Sequence, residues 1–218
     1  MARLPRSFFA RESVVLAPDL IGTRLVHRLA DGTRLSGIIV EVEAYIGSED
    51  RASHAFGGRR TARNEAMYAK AGTSYVYFTY GMHFCMNIVC AEEGVPQAVL
   101  LRALEPDTDS LETMRKNRGV ESVRLLCAGP GRLCQALGID RRLNGVDLCT
   151  SDELWLERAE AGQRKSERSR RVGIDSAGAW AKRLLRWTER GNVYISKPPD
   201  GMRLVSGNRN GSKNRKPA

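Results

Sequence analysis

Residues 39–87 read IVEVEAYIGSEDRASHAFGGRRTARNEAMYAKAGTSYVYFTYGMHFCMN, and the rest of the chain is interpreted from this stretch outward. Its first seven residues close a strand, predicted over Thr33–Tyr45. Side chains two apart on a strand share a face, so Val40, Val42 and Ala44 are expected on one side and Glu41, Glu43 and Tyr45 on the other. A glutamate in a strand ordinarily meets solvent, and on alternation alone that reading holds for both carboxylates. Residues 46–71 form a long connection with a short helix predicted near Arg63–Tyr68. A connection of that length inside a compact domain is usually functional or disordered. It carries His54, Gly57-Gly58, Arg59, Arg60 and Arg63. TSYVYFTY, residues 73–80, is rich in aromatic and β-branched residues and is a second strand. Tyr75, Tyr77 and Thr79 share one face of it. Gly81-Met82 is read as the turn and His83–Cys90 as the return strand. Tyr80 and Met82 then stand at a hairpin tip, where large apolar groups are costly to expose without a reason.

Before this stretch, Pro18 suggests a helix boundary near Ala17, and Gly22 a stop. Thr23–Ala30 is a strand, joined to Thr33–Tyr45 by Asp31-Gly32, a two-residue hairpin signal. After it, Gln97–Leu104 is a strand, Ser110–Arg118 an exposed charged helix, and Gly129-Pro130 opens a helix that stops at Gly138. A short strand is expected at Glu153–Glu157, a polar Arg-rich loop at Gly162–Arg171, a helix within Ala177–Leu185 and a last strand at Val193–Ser196. From Lys197 onward the composition is that of a disordered tail. There are no repeats and no second-domain boundary.

The chain has 218 residues, enough for one sizeable core, with 42% hydrophobic and 28% charged residues. No apolar run approaches the roughly 20 residues that cross a bilayer, and the N-terminus lacks the apolar centre of a secretory signal. A cytoplasmic protein is expected, nucleoid-associated in a bacterium and nuclear in a eukaryote. The formal charge of +10 favours a polyanionic partner, above all nucleic acid. The arginines of residues 57–63 and 162–171 are expected to meet phosphates. Five cysteines, an odd number without a CxxC pair, point to buried reduced thiols and to neither a disulfide framework nor zinc. With three histidines and no ligand cluster, no metal or cofactor is expected; His27, in a strand, is read as structural. Walker, GxGxxG, HExxH and GxSxG motifs are absent, as are the H-x-E and PCxxC elements of a zinc deaminase.

Several long blocks in order, namely IVEVEAYIGSEDRASH, GGRRTARNEAMY, GTSYVYFTYGMHFCMNIV, VLLRALEP, AGPGRLCQALGI and RVGIDSAGAWA, resemble the alkyladenine (3-methyladenine) DNA glycosylase family of monofunctional N-alkylpurine enzymes. The resemblance spans about residues 8–196. It implies that Glu43 is the general base activating a water. Tyr45, His54 and Tyr77 line a pocket for an extruded base, Asn87 disfavours guanine at its floor, and Arg102 sits near the water and a phosphate. It also implies that Tyr80 enters the minor groove, flanked by Met82. Two positions depart from some relatives: His83 stands where they have Tyr, and Ala128 where they have Ser. Glu41 is a competing carboxylate, ranked behind Glu43. The expected architecture is one α+β domain over residues 1–196, with a curved, mainly antiparallel sheet, surrounding helices and a protruding β-hairpin, followed by a basic tail at 197–218. The expected partner is double-stranded DNA with damaged purines, bound by a monomer. Two rivals stand beside this reading: a bifunctional glycosylase with lyase activity, for which Lys70 is the one lysine in the central stretch, and a catalytically silent nucleic-acid-binding protein of the same fold.

Overall fold

The computed structural model describes residues 2–159 and 164–199. The tail assigned from residue 197 lies almost wholly outside them. Two short helices open the chain, α1 (Arg6–Phe9) and α2 (Ser13–Leu20). The expected break at Ala17 does not occur, because Pro18 lies inside α2. Proline removes one hydrogen bond in what is already the last turn. Burial of Leu16, Ala17 and Leu20 outweighs that loss.

Eight strands follow among the described residues: β1 (Arg24–Arg28), β2 (Arg34–Tyr45), β3 (Ser74–Thr79), β4 (His83–Cys90), β5 (Gln97–Pro106), β6 (Leu154–Glu157), β7 (Ser166–Ser169) and β8 (Arg186–Glu189). They form one sheet in the order β3-β4-β5-β2-β1-β6, with β8 also paired to β2 and β7 to β8. Every strand pairing is antiparallel. The twelve-residue β2 is the axis. One edge pairs with β5 along its length, while the other pairs first with β1 and then, at Glu41–Glu43, with β8. β2 is therefore walled in, and its residues 35–44 are all buried. Helices α3 (Leu111–Arg118), α4 (Val123–Leu126) and α5 (Pro130–Leu137) complete the main core, with α5 against β4 and β5. This is the expected α+β domain.

Several details differ from the sequence reading. The β1–β2 turn is longer than two residues: Gly32 N–H donates to Leu29 O at 2.9 Å and Leu29 N–H to Thr33 O at 2.8 Å, with Gly32 at φ +87°. A left-handed glycine closing a three-residue loop is the next most favoured hairpin geometry. The helix at Leu111–Arg118 is charged but not simply exposed, since Met114 is fully buried. The Arg-rich segment is not a free loop. Ser166–Ser169 pairs with β8, Arg164 contacts Glu105 and Glu189 at 2.9 and 2.7 Å, and Arg168 donates to Leu184 O. Arg171 is buried. Those guanidiniums find carboxylates and carbonyls within the chain, which removes the phosphate role for Arg164 and Arg171. The expected last strand at Val193–Ser196 is absent; Arg186–Glu189 takes the place beside β2.

The phase of β2 also shifts. The β2–β5 register is irregular between Ile39 and Val42. Ile39, Val42 and Ala44 belong to the main core, whereas Val40 packs with Ala103 and Ile195. Val40 therefore does not share a face with Val42 and Ala44. An irregularity of this kind leaves a residue outside the ladder and re-aims side chains, and here the residues it re-aims adjoin Glu41 and Arg102.

Candidate active site

The non-core face of the central strands is built from antiparallel neighbours. Glu43 lies opposite Leu100 on β5 and opposite Arg186 on β8, Leu100 lies opposite Asn87 on β4, and Asn87 lies opposite Tyr75 on β3. Register alone thus delivers a carboxylate, an amide and a tyrosine to one row. Two residues along each strand, Tyr45 and Tyr77 join them. Above this row lies a cleft of about 370 Å³, lined by Tyr45, Ser53, His54, Met67, Tyr75, Tyr77, Tyr80, Asn87, Arg102, Pro130 and Val172 among others. That volume is in the range of small-molecule sites.

Its wall is aromatic. His54 and Tyr77 meet edge-on, with centroids 4.6 Å apart and planes at 76°, while Tyr75 and Tyr77 are tilted at 35° with centroids 5.3 Å apart. His54 Nδ1 lies 2.7 Å from the Tyr75 hydroxyl, a hydrogen bond whose direction follows the imidazole tautomer. Burial, with help from Arg63 and Arg59, pushes the His54 pKa down, so the ring is neutral at pH 7. Burial pushes the Tyr75 and Tyr77 phenols up, so they stay protonated. Asn87 is buried and anchored by Nδ2–H to Tyr75 O at 3.2 Å.

Glu43 does not line the cleft itself. It is fully buried directly behind residues that do. Val172 N–H donates to Oε1 at 2.7 Å, Arg102 Nη1 is 3.3 Å from Oε1, and the Tyr45 hydroxyl donates to Oε2 at 3.1 Å. A carboxylate has about four acceptor positions, so Oε2 keeps capacity for a further donor. Burial raises the Glu43 pKa; Arg102, the Val172 N–H and Tyr45 oppose that rise, and Glu41 adds to it. The solvated-glutamate reading of this strand face fails for both carboxylates, because β8 covers them together with Val172 before it at Glu43 and Ser196 after it at Glu41.

Glu41 is a different kind of carboxylate. It accepts from Arg102 Nε and Arg186 Nε, both at 2.8 Å, and from Ser196 through Oγ at 2.8 Å and N–H at 2.5 Å. Arg102 bridges the two acids. Burial works against its charge, but Glu43 and Glu41 more than offset that and raise its pKa.

The β3–β4 hairpin projects beside the cleft. Tyr80 at its tip is 84% exposed and Met82 69%, and His83 and Phe78 are exposed as well. Tyr80 and Gly81 have φ +50° and +68°, and Met82 N–H donates to Thr79 O at 3.2 Å. The turn is therefore centred on Tyr80-Gly81, one residue earlier than the sequence suggested. Left-handed backbone costs a non-glycine residue about 1–2 kcal/mol, so the tip holds its tyrosine in a strained, defined pose. Arg63 donates to Phe78 O and lies 5.7 Å from the Tyr77 ring. Arg60 pairs with Glu65, and Arg59 is exposed.

Tyr45, His54, Tyr77, Asn87 and Arg102 thus line one cleft, Tyr80, Met82 and His83 stand on its hairpin, and Glu43 lies one layer deeper; Arg63 reaches the hairpin through Phe78 O, whereas Arg59 and Arg60 do not line the cleft. Sequence reasoning missed Val172, which follows an arginine run that looked like a surface loop. It also missed Ser53 and Pro130, which carry no signal of chemistry. Tyr75 was legible, since alternation places it with Tyr77. All five cysteines are free, and all but Cys149 are buried. Among the described residues no group of three His, Cys, Asp or Glu side chains converges to hold a metal, and no helix is long and apolar enough to cross a membrane.

The family model described as Methylpurine-DNA glycosylase (MPG) matches residues 7–193. The human protein named DNA-3-methyladenine glycosylase is 45% identical over 207 residues, covering 90% of this chain and 68% of its own. Proteins named putative 3-methyladenine DNA glycosylase from Clostridium acetobutylicum and Desulfitobacterium hafniense are 42% and 47% identical. They cover 89% and 81% of this chain and 97% and 90% of their own lengths. A match through strands, cleft and hairpin alike, at this identity, leaves one conclusion: the chain belongs to the methylpurine-DNA glycosylase family.

Proposed function

We propose that this DNA glycosylase extrudes an alkylated or deaminated purine nucleotide from duplex DNA and hydrolyses its N-glycosidic bond with water activated by Glu43. The observation that carries this reading is the position of the Glu43 carboxylate, bonded to Tyr45 and beside Arg102, directly behind the wall of an aromatic cleft with an exposed tyrosine tip next to it. The bond to be cut is buried inside a duplex, so the nucleotide must leave the stack. Tyr80 fits the role of a wedge that occupies the vacated space, with Met82 and His83 flanking it on the minor-groove side. Tyr45, Tyr77 and His54 offer faces and edges to an electron-poor purine, an attraction of the cation–π kind. Stacking tolerates different bases, whereas Asn87, held to the Tyr75 carbonyl, gives the floor one rigid polar group against the exocyclic amine of guanine. Arg63, bonded to Phe78 O on the hairpin, and the exposed Arg59 and Arg60 near it in sequence suit phosphate contacts.

The chemistry needs a base for water and negative charge near a developing oxocarbenium ion; a carboxylate does both. Arg102 favours the ionised form of Glu43 against its burial and orients it. The bifunctional rival needs an amine nucleophile. Among the described residues no lysine lines the cleft, and Lys70 is exposed outside it. Glu43→Gln is expected to bind a lesion duplex as the parent does and to release base about 10²–10⁴-fold more slowly. Free base measured from a single-lesion duplex decides; base release within threefold of the parent rejects Glu43 as the base. Borohydride trapping of a covalent adduct would reassign the enzyme as a lyase.

A further inference from the structure

The mechanism leaves Glu41 unused, yet it is a fully buried carboxylate that accepts four hydrogen bonds. Its two oxygens accept from Arg102 Nε, Arg186 Nε, Ser196 Oγ and Ser196 N–H. Ser196 Oγ also accepts from Arg102 Nη2 at 3.3 Å. Arg102, Glu41 and Ser196 therefore close a ring, and the remaining nitrogen of the guanidinium, Nη1, faces Glu43. A planar guanidinium held by two of its nitrogens has no freedom to turn the third. Glu41 is fully buried with both oxygens engaged, Oε1 by Arg102, Arg186 and Ser196 Oγ and Oε2 by the Ser196 N–H, which suits it to hold Arg102 rather than to act as a second base. The irregular β2–β5 register places it there, since Glu41 is paired with Ala103 rather than facing Arg102 squarely across the ladder.

We propose that Glu41 and Ser196 are positioning residues: together they lock the Arg102 guanidinium so that Nη1 points at Glu43, and they tie that geometry to the segment following β8. The inference rests on Glu43 being the base. The charged and titratable groups around Glu43 are Glu41 and Tyr45 on its own strand, Arg102 on β5, Arg186 on β8, Tyr77 on β3, Cys85 on β4 and Arg171 in the preceding loop. Of these, Glu41 is the nearby anion, and its charge raises the Glu43 pKa while its oxygen holds Arg102 Nε. Neutralising Glu41 removes a like charge, which favours ionised Glu43, but releases the guanidinium from its fixed pose.

The test is single-turnover base release from a lesion duplex as a function of pH, with duplex binding measured in parallel, for Glu41→Gln, Ser196→Ala and Glu43→Gln. Glu41→Gln is expected to bind within about twofold of the parent and to react about 10–100-fold more slowly, because Arg102 is no longer held; its acid limb moves to lower pH. Ser196→Ala, which breaks the ring without altering charge and keeps the fold, is expected to lose about 3–10-fold in rate with its acid limb unmoved. The proposal is overturned if Glu41→Gln reacts within twofold of the parent, if its acid limb stays in place or moves up, or if its loss lies in binding. Should Glu41→Gln not fold, Ser196→Ala decides: a rate within twofold of the parent overturns the proposal. An active Glu43→Gln overturns the assignment of the base itself, a separate outcome from a silent Glu41→Gln beside a dead Glu43→Gln.

Discussion

Asp50 and Arg171 form a bidentate pair, Nη1 to Oδ2 at 2.5 Å and Nη2 to Oδ1 at 2.8 Å, with both side chains fully buried. Arg171 also donates to Ala44 O at 3.0 Å and lies over the Tyr45 ring at 4.7 Å. Its neighbour Val172 supplies the N–H that Glu43 accepts. The pair thus fixes the loop that roofs the carboxylate. Asp50→Asn keeps the shape but leaves a guanidinium buried without a counter-charge. Breaking one side of a buried pair costs about 3–5 kcal/mol. At about 2–4 °C per kcal/mol for a domain of this size, the melting temperature should fall by about 6–20 °C. Thermal unfolding measures the first effect, and base release well below the variant's transition measures the second, which should drop because Val172 and Tyr45 lose their support. Adding Arg171→Met removes the stranded charge and should recover much of the stability but not the rate. A single variant melting within 2 °C of the parent, or a double variant less stable than Asp50→Asn, would refute the reasoning.

The remaining expectations concern the base and the hairpin. Burial raises the folded pKa of Glu43 above its unfolded value, so the acid limb of base release should lie above the ordinary glutamate range and vanish in Glu43→Gln. By the same sign, the neutral form of Glu43 contributes stability that is fully present below the unfolded pKa and lost as pH rises through the folded one; Glu43→Gln should therefore melt higher than the parent at pH 7 and equally in acid. Tyr80→Asn replaces an 84% exposed side chain at φ +50° with a residue that tolerates left-handed backbone, so it should gain about 1 kcal/mol, or 2–4 °C, while losing lesion-duplex affinity and rate; equal affinity would remove Tyr80 from the DNA contact. A Cβ on Gly131 would come within 3.0 Å of His83 Cβ and Cγ beside the tip of the hairpin. Gly131→Ala should thus re-aim the tip and weaken lesion binding several-fold with a melting shift of a few degrees, whereas unchanged binding would show that the hairpin does not depend on that contact.

The sequence by itself determined the strands from β1 to β5, the projecting hairpin and the set of polar and aromatic residues that face one way. Those features are local: alternation, turn residues and β-branched runs act over a few positions, as at Tyr75 and Tyr77. It also determined the family, because long blocks in a fixed order carry far more information than any single pattern. The tertiary structure alone decided what each charge does. Glu41 and Glu43 have the same strand, the same apparent face and the same side chain, yet one accepts from two guanidiniums and Ser196 and the other from the Val172 N–H and Tyr45 beside a single guanidinium nitrogen. Arg164 and Arg171 belong to a run that reads as a solvated basic loop, but carboxylates distant in sequence, Glu105 and Asp50, draw them inward. Alternation could not foresee the β2–β5 irregularity that moves Val40 off the core face. A charge's partner is set by long-range packing, and a buried charge is tolerated only where packing supplies that partner; neither quantity is a property of a short window of sequence.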